Sequence, residues 1–448
     1  MKPTLKALPR ALRFLPIAGA VLLATSAQAQ MAPYYLDASQ AIRYDSNLFR
    51  ASTNEQSDII STTSVTLGFD QPISRQRLFG HATGRYNLYR DNDQLNAPGY
   101  DIGAGINWEA ASKLSGHALV NFSQNQAAFE NYGALQQTQS GENLERVSLL
   151  DLRAQYGGQS LLSVEALGNF TRVDYSNSAF TGRELETRML GVGAGYRPNS
   201  DWQLGVRYRR TNGEYAGGAS DEYDRDDFDL TAQYQASGFS SLSARVSHTK
   251  EDHELQTTRD FSGVTGEVRW DYRPTGKLRL GASLARETGA GTSISAASGS
   301  TPGRVVPLPG AVPLPSEGAP TAPSPVVGAP GTAFSTGPGY LSDSQLSSRV
   351  GLQLGYEATA KILLGLTASY SRDTYDTGFV TGGVTTPGES KGNSRVLLLT
   401  AGYQVTRVWS AGCGVGREER NTGVLLAGNT RYAYDATTAY CSVRLSLR

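Results

Sequence analysis

The side chains with the most chemistry to offer are charged, and they recur at every second position. Arg77, Arg85, Arg153, Arg207, Arg209, Arg245, Arg269, Arg279 and Arg349 fall on the polar face of alternating segments, with Asp101, Glu109, Asp151, Glu165, Asp229, Glu267 and Asp271. On neighbouring strands such residues have two uses. Rows of arginine select anionic solutes by charge and hydrogen bonding, whereas arginine–carboxylate pairs brace the wall that carries them. Both signs are present, so both uses stand at this level. Arginine outnumbers lysine 34 to 7, and its planar fork suits fixed contacts to carboxylate or phosphate.

Catalysis has little to build on. The four histidines, His81, His117, His248 and His253, sit in no recognisable site motif, and hydrolysis would need a nucleophile, a base and an orienting group together. The chain reads as a non-enzyme with no cofactor and no metal centre. The acidic stretch Ser220 to Asp229 matches no calcium-loop spacing, and a solvated acidic loop is its reading. Tyr86, Tyr208, Tyr370 and Tyr434 suit either a membrane-interface girdle or stacking on sugar rings. Cys413 and Cys441, the only cysteines, flank a turn near Ala427, Gly428 and Asn429 at similar distances and an even separation. A cross-strand disulfide is compatible with that spacing.

The elements that position these residues follow from the alternation itself. Tyr100, Ile102, Ala104, Ile106 and Trp108 alternate with Asp101, Gly103, Gly105, Asn107 and Glu109, and similar period-2 runs fill the chain. Eight times an aromatic closes a run and a short polar link follows: Phe69, Trp108, Tyr156, Tyr196, Tyr234, Tyr272, Tyr356 and Tyr403. Nine longer polar connections lie between these links, about residues 45–57, 90–99, 124–143, 174–185, 211–224, 249–260, 288–343, 373–392 and 419–431. The pattern predicts an all-β transmembrane antiparallel barrel of about 18 strands, with 16 to 20 as the range. The segment from 288 to 343 carries ten of the 19 prolines, which makes it an extended outer loop or a lid over the pore.

Composition and the first residues agree with export. Lys2, Lys6, Arg10 and Arg13 precede an apolar run, Ile17 to Ala24, and the site Ala27-Gln28-Ala29, so residues 1–29 read as a signal peptide cut after Ala29 and 30–448 as the barrel. Without those four basic residues the balance is 37 Lys+Arg (41 less four) against 41 Asp+Glu, which excludes nucleic acid as a partner on charge grounds. A hydrophobic fraction of only 39% fits a membrane barrel because alternate strand residues face water. The last strand alternates Ala439, Cys441, Val443, Leu445 and Leu447 but ends on Arg448 where a terminal aromatic is usual. It is a segment for barrel-assembly machinery to read.

The opening run from Tyr35 to Ser52 carries Tyr44, Asp45, Asn47, Leu48, Phe49 and Arg50 in a Tyr-Asp-x-Asn-aliphatic-Phe-Arg pattern. It resembles the start of the EpsL-like outer-membrane β-barrel porins encoded in exopolysaccharide operons. The resemblance implies an integral protein of the Gram-negative outer membrane, in contact with lipid and lipopolysaccharide, that takes part in synthesis or export of an extracellular polysaccharide. It also implies periplasmic polysaccharide-export proteins as partners. A general or anion-preferring diffusion porin and a non-transporting barrel that anchors surface polysaccharide are the alternatives. For Asp45 and Asn47 the expectation is a role in shaping the first outer turn.

Overall fold

The computed structural model describes residues 33–110, 113–129, 141–158, 160–216, 221–236, 239–255, 257–288, 345–381, 384–422 and 433–447. The expected signal peptide and the proline-rich segment beyond Thr288 lie outside them. The first strands are β1 (Tyr34–Asp45), β2 (Asp58–Ile73), β3 (Gln76–Tyr89), β4 (Ala97–Ala110), β5 (Leu114–Gln126) and β6 (Leu144–Tyr156). Next come β7 (Leu162–Tyr175), β8 (Leu185–Tyr196), β9 (Trp202–Tyr215), β10 (Glu222–Ala236), β11 (Ser240–His253) and β12 (Phe261–Tyr272). The last are β13 (Leu278–Thr288), β14 (Gln345–Thr359), β15 (Ile362–Thr381), β16 (Val384–Gln404), β17 (Trp409–Thr422) and β18 (Tyr434–Leu447).

Each strand pairs antiparallel with its sequence neighbours, and β18 pairs with β1, so the 18 strands close into a barrel. Closure removes the free sheet edges, whose unpaired N–H and C=O groups would be costly in lipid. Burial then separates two faces. On β10, Tyr223, Arg225, Asp227 and Asp229 are buried while Phe228 and Leu230 are 60% and 64% exposed. The exposed apolar set, including Val65, Leu190, Val206, Val264, Leu284, Leu352 and Leu399, covers the outside as a belt. All eight predicted strand-closing aromatics lie on this outer face near the short turns, joined by Trp202, Trp270 and Trp409. Trp202 and Tyr234 stand 4.5 Å apart between ring centroids. A belt bounded by such a girdle is the mark of a membrane-spanning barrel.

The strands correct two expectations. Residues 373–392, expected as a long connection, are mostly strand: β15 runs to Thr381 and β16 begins at Val384, with register pairing up to Thr381 and Val384. The threonines, valines and aromatics there favour a pleated backbone. The acidic stretch is no solvated loop either. Glu222 to Asp229 belong to β10, and Asp221, Asp227 and Asp229 are buried.

Cys413 and Cys441 are register partners on β17 and β18 and form a disulfide, with Cα atoms 4.0 Å apart. Both face outward in the apolar belt, beside Ala401 on β16 and Ile42 on β1. Closing a loop of this length restricts the unfolded chain, so Cys441→Ser is expected to lower stability by about 3 kcal/mol. Reversible unfolding of the purified barrel checks this, and no change under oxidising conditions would count against it.

Candidate lumen site

Every arginine and carboxylate singled out by alternation points to the interior. Arg77 pairs with Asp70, Arg279 with Glu357 at 2.7 Å, Arg269 with Asp271 at 3.2 Å, and Glu109 with Arg75 at 3.9 Å. Asp101 is bound by His81 and Asp151 by His117. Glu267 lies opposite Arg245 in register, and Arg349 opposite Ser371.

The remaining members belong to a single network along β6 to β13. Arg153 and Arg207 share Glu165, and Arg207 reaches Asp229 at 4.0 Å. Arg209 joins Asp229 at 2.7 Å and Asp227 at 3.4 Å. Arg225 joins Asp227 at 2.9 Å, Glu251 at 3.6 Å and Glu287 at 3.5 Å, and Arg245 closes the chain on Glu287. Five cations meet five anions, so this network carries no net charge. The bracing role therefore wins over an anion ladder here, because each guanidinium is neutralised by a fixed carboxylate. On β8, Gly193 leaves the gap that Glu165 crosses to reach Arg207: a Cβ there would stand 3.0 Å from Glu165 Oε1.

Sequence reasoning missed Arg225, Asp227, Glu251 and Glu287, the hub of this network. They sit where strands run past the apolar belt, so both faces are polar and the period-2 signal fades. Beyond the belt, His253 holds Asp221 at 2.7 Å and Glu251 at 3.2 Å. Burial would lower its pKa, but hydrogen bonds to Glu251 and Asp221 outweigh that and raise it.

The opposite wall, β14 to β18 with β1 and β2, is lined by small and hydroxyl side chains. Inward positions include Gly351, Thr367, Ser369, Thr400, Gly412, Gly416 and Ser442. Cross-strand hydroxyl pairs join Ser39 on β1 to Ser64 on β2 and Thr66 on β2 to Thr83 on β3, each at 2.8 Å. This surface offers many weak donors and acceptors, interrupted by Tyr440 and Leu398 packed with Ala41.

At the long-loop end the mouth is partly covered. Leu48 and Phe49, Leu95 in a 3-10 turn (Asp93–Leu95), Ala127, Phe129, and Phe180 in a second such turn (Ser178–Arg183) pack on Ile60, Tyr89, Val173 and Tyr175. Phe49 meets Phe129 edge-on at 4.9 Å. Under this cover burial lifts the Glu145 carboxyl to about 7, opposed by a hydrogen bond from Tyr175.

The Tyr44–Arg50 motif fixes the first loop of the cover. Asp45 accepts the Asn47 backbone N–H at 3.1 Å, and the Asn47 side chain donates to the carbonyls of Ala51 at 2.7 Å and Asp435 at 3.0 Å. Arg50 adopts a left-handed φ of 55°, costly for a residue with a Cβ. Its guanidinium holds the turn through Asp45 at 2.8 Å and Glu418 at 3.2 Å. Tyr434 is buried in the mouth beside Arg50 and Glu418, whereas Tyr86, Tyr208 and Tyr370 face outward.

These features define a closed transmembrane β-barrel with a charged, braced lumen and a folded-in mouth. No protein-family model and no curated protein matches the chain. Among solved structures it is similar to the outer-membrane protein OpdK of Pseudomonas aeruginosa, at 12% identity and a TM-score of 0.43, over 92% of this chain and 99% of that one. OpdG of the same organism gives 12% identity and a TM-score of 0.45, over 92% and 98%. The siderophore receptor PirA of Acinetobacter baumannii gives 9% and 0.38, over 92% and 80%. With likeness this low, a functional reading rests on the chain's own geometry.

Proposed function

We propose that the chain is an outer-membrane channel for a hydrophilic, hydroxyl-rich polymer, an exopolysaccharide leaving the cell. The observation that supports it is the composition of the lumen: one wall neutralised pair by pair, the other rich in serine, threonine and glycine. A sugar chain exchanges hydrogen bonds along the hydroxyl-rich wall, while the paired charges of the other wall set up no strong field against it. The motif from Tyr44 to Arg50, similar to that of exopolysaccharide-operon barrels, points the same way, as does the exported character of the first 29 residues. In this reading barrel-assembly machinery inserts the chain, lipopolysaccharide surrounds it, and periplasmic export proteins deliver the polymer.

Single-channel conductance in a planar bilayer, with and without residues 290–340, tests the reading when the producing cell's own polysaccharide is added from either side. The expected result is steady conductance that the polymer blocks from one side. No conductance in either form would replace the channel with a barrel that anchors polymer at the surface.

A further inference from the structure

Most inward arginines are neutralised, and the exceptions are not scattered. Arg77, Arg153, Arg207, Arg209, Arg225, Arg245, Arg269 and Arg279 all form ion pairs. Arg43 on β1, Arg85 on β3 and Arg444 on β18 also face the lumen, yet none makes an ion pair or a side-chain hydrogen bond among the described residues. The Arg85 Nε is buried without a partner.

The three lie together across the β18–β1 closure. Register places Arg444 opposite Ser39, Ser39 opposite Ser64, and Ser64 opposite Arg85. Two arginines thus flank two serines in one row on four consecutive strands, about 14 Å from backbone to backbone at the usual strand spacing. Arg43 stands on the same face of β1, four residues along from Ser39. Nearby carboxylates stop short of ion pairing with them: Asp37 accepts a hydrogen bond from Ser446, Asp101 contacts His81 and Asn121 and attracts Arg85 only from a distance, and Asp45 pairs with Arg50. Gly99 faces Arg85 and gives its stem room, since a Cβ there would come within 2.8 Å of the Arg85 Cγ.

The geometry points to a binding site on the β18–β1–β2–β3 wall for a sugar chain bearing carboxylate or phosphate groups. Resting on the channel reading, it adds the charge class of the polymer. Guanidinium forks without protein partners bind such oxyanions through charge-assisted hydrogen bonds, while Ser39, Ser64 and Thr66 offer hydroxyl contacts between the charges. A neutral glucan would leave the three cations unmatched.

Isothermal titration of the detergent-solubilised barrel with trigalacturonate, maltotriose and monomeric galacturonate tests the site. Trigalacturonate is expected to bind at least about tenfold more tightly than maltotriose or the monomer, a difference of about 1.4 kcal/mol. The Arg85→Gln/Arg444→Gln pair should lose that advantage, while Arg77→Gln, which removes a paired arginine, should keep it. Equal binding of charged and neutral trimers, or an unaltered double variant, overturns the site. Equal binding of monomer and trimer overturns the polymer and leaves a site for small acids. Trigalacturonate binding by a barrel that conducts nothing would uphold the site and sink the channel reading instead.

Discussion

Asp227→Ala should destabilise the purified barrel by about 3 kcal/mol, the low end for breaking a buried ion pair, because Arg225 and Arg209 lose a shared carboxylate but keep others. Asp227 is fully buried and is shared by Arg225 and Arg209, with Thr249 donating a hydrogen bond to it. Its loss leaves Arg225, itself buried at 3% exposure, with only its longer contacts to Glu251 at 3.6 Å and Glu287 at 3.5 Å. Removing both partners is milder, because no isolated charge remains. Asp227→Ala combined with Arg225→Met should recover much of the deficit. Equilibrium unfolding in detergent reads both variants, and a single variant within about 1 kcal/mol of the parent would show that water satisfies Arg225 and that the network contributes little.

Phe49→Ala should release the cover at the mouth. The ring is 7% exposed and wedged against Phe129 in a cluster that also holds Leu48, Leu95 and Phe180. Truncating a buried phenylalanine costs about 3–5 kcal/mol. Here the loss falls on the docking of loops, since the strand ladder does not depend on that contact. The expected outcome is faster proteolysis within residues 46–57 and a higher conductance, with the unfolding transition of the strands little changed. Unchanged conductance with a released loop would mean that the narrowest part of the pore lies elsewhere.

The architecture was legible in the chain because a membrane barrel writes its environment into every second residue. The outer face must be apolar across the belt and aromatic at its edge, so Phe69, Trp108, Tyr156 and their counterparts marked each turn, and the strand count followed. Legibility stopped where that constraint stops. Above the belt no lipid imposes a pattern, so Arg225, Asp227 and Glu251 looked like loop residues, and residues 373–392 were mistaken for a connection. Alternation also assigns a side chain to a face without saying what it meets there. That Arg207 is neutralised by Glu165 across a glycine on β8, whereas Arg85 and Arg444 lie opposite serines and make no ion pair, depends on barrel closure and strand register. Those bring residues far apart in sequence side by side, and only the tertiary structure decided which arginines are spent on bracing and which have no carboxylate within ion-pair distance.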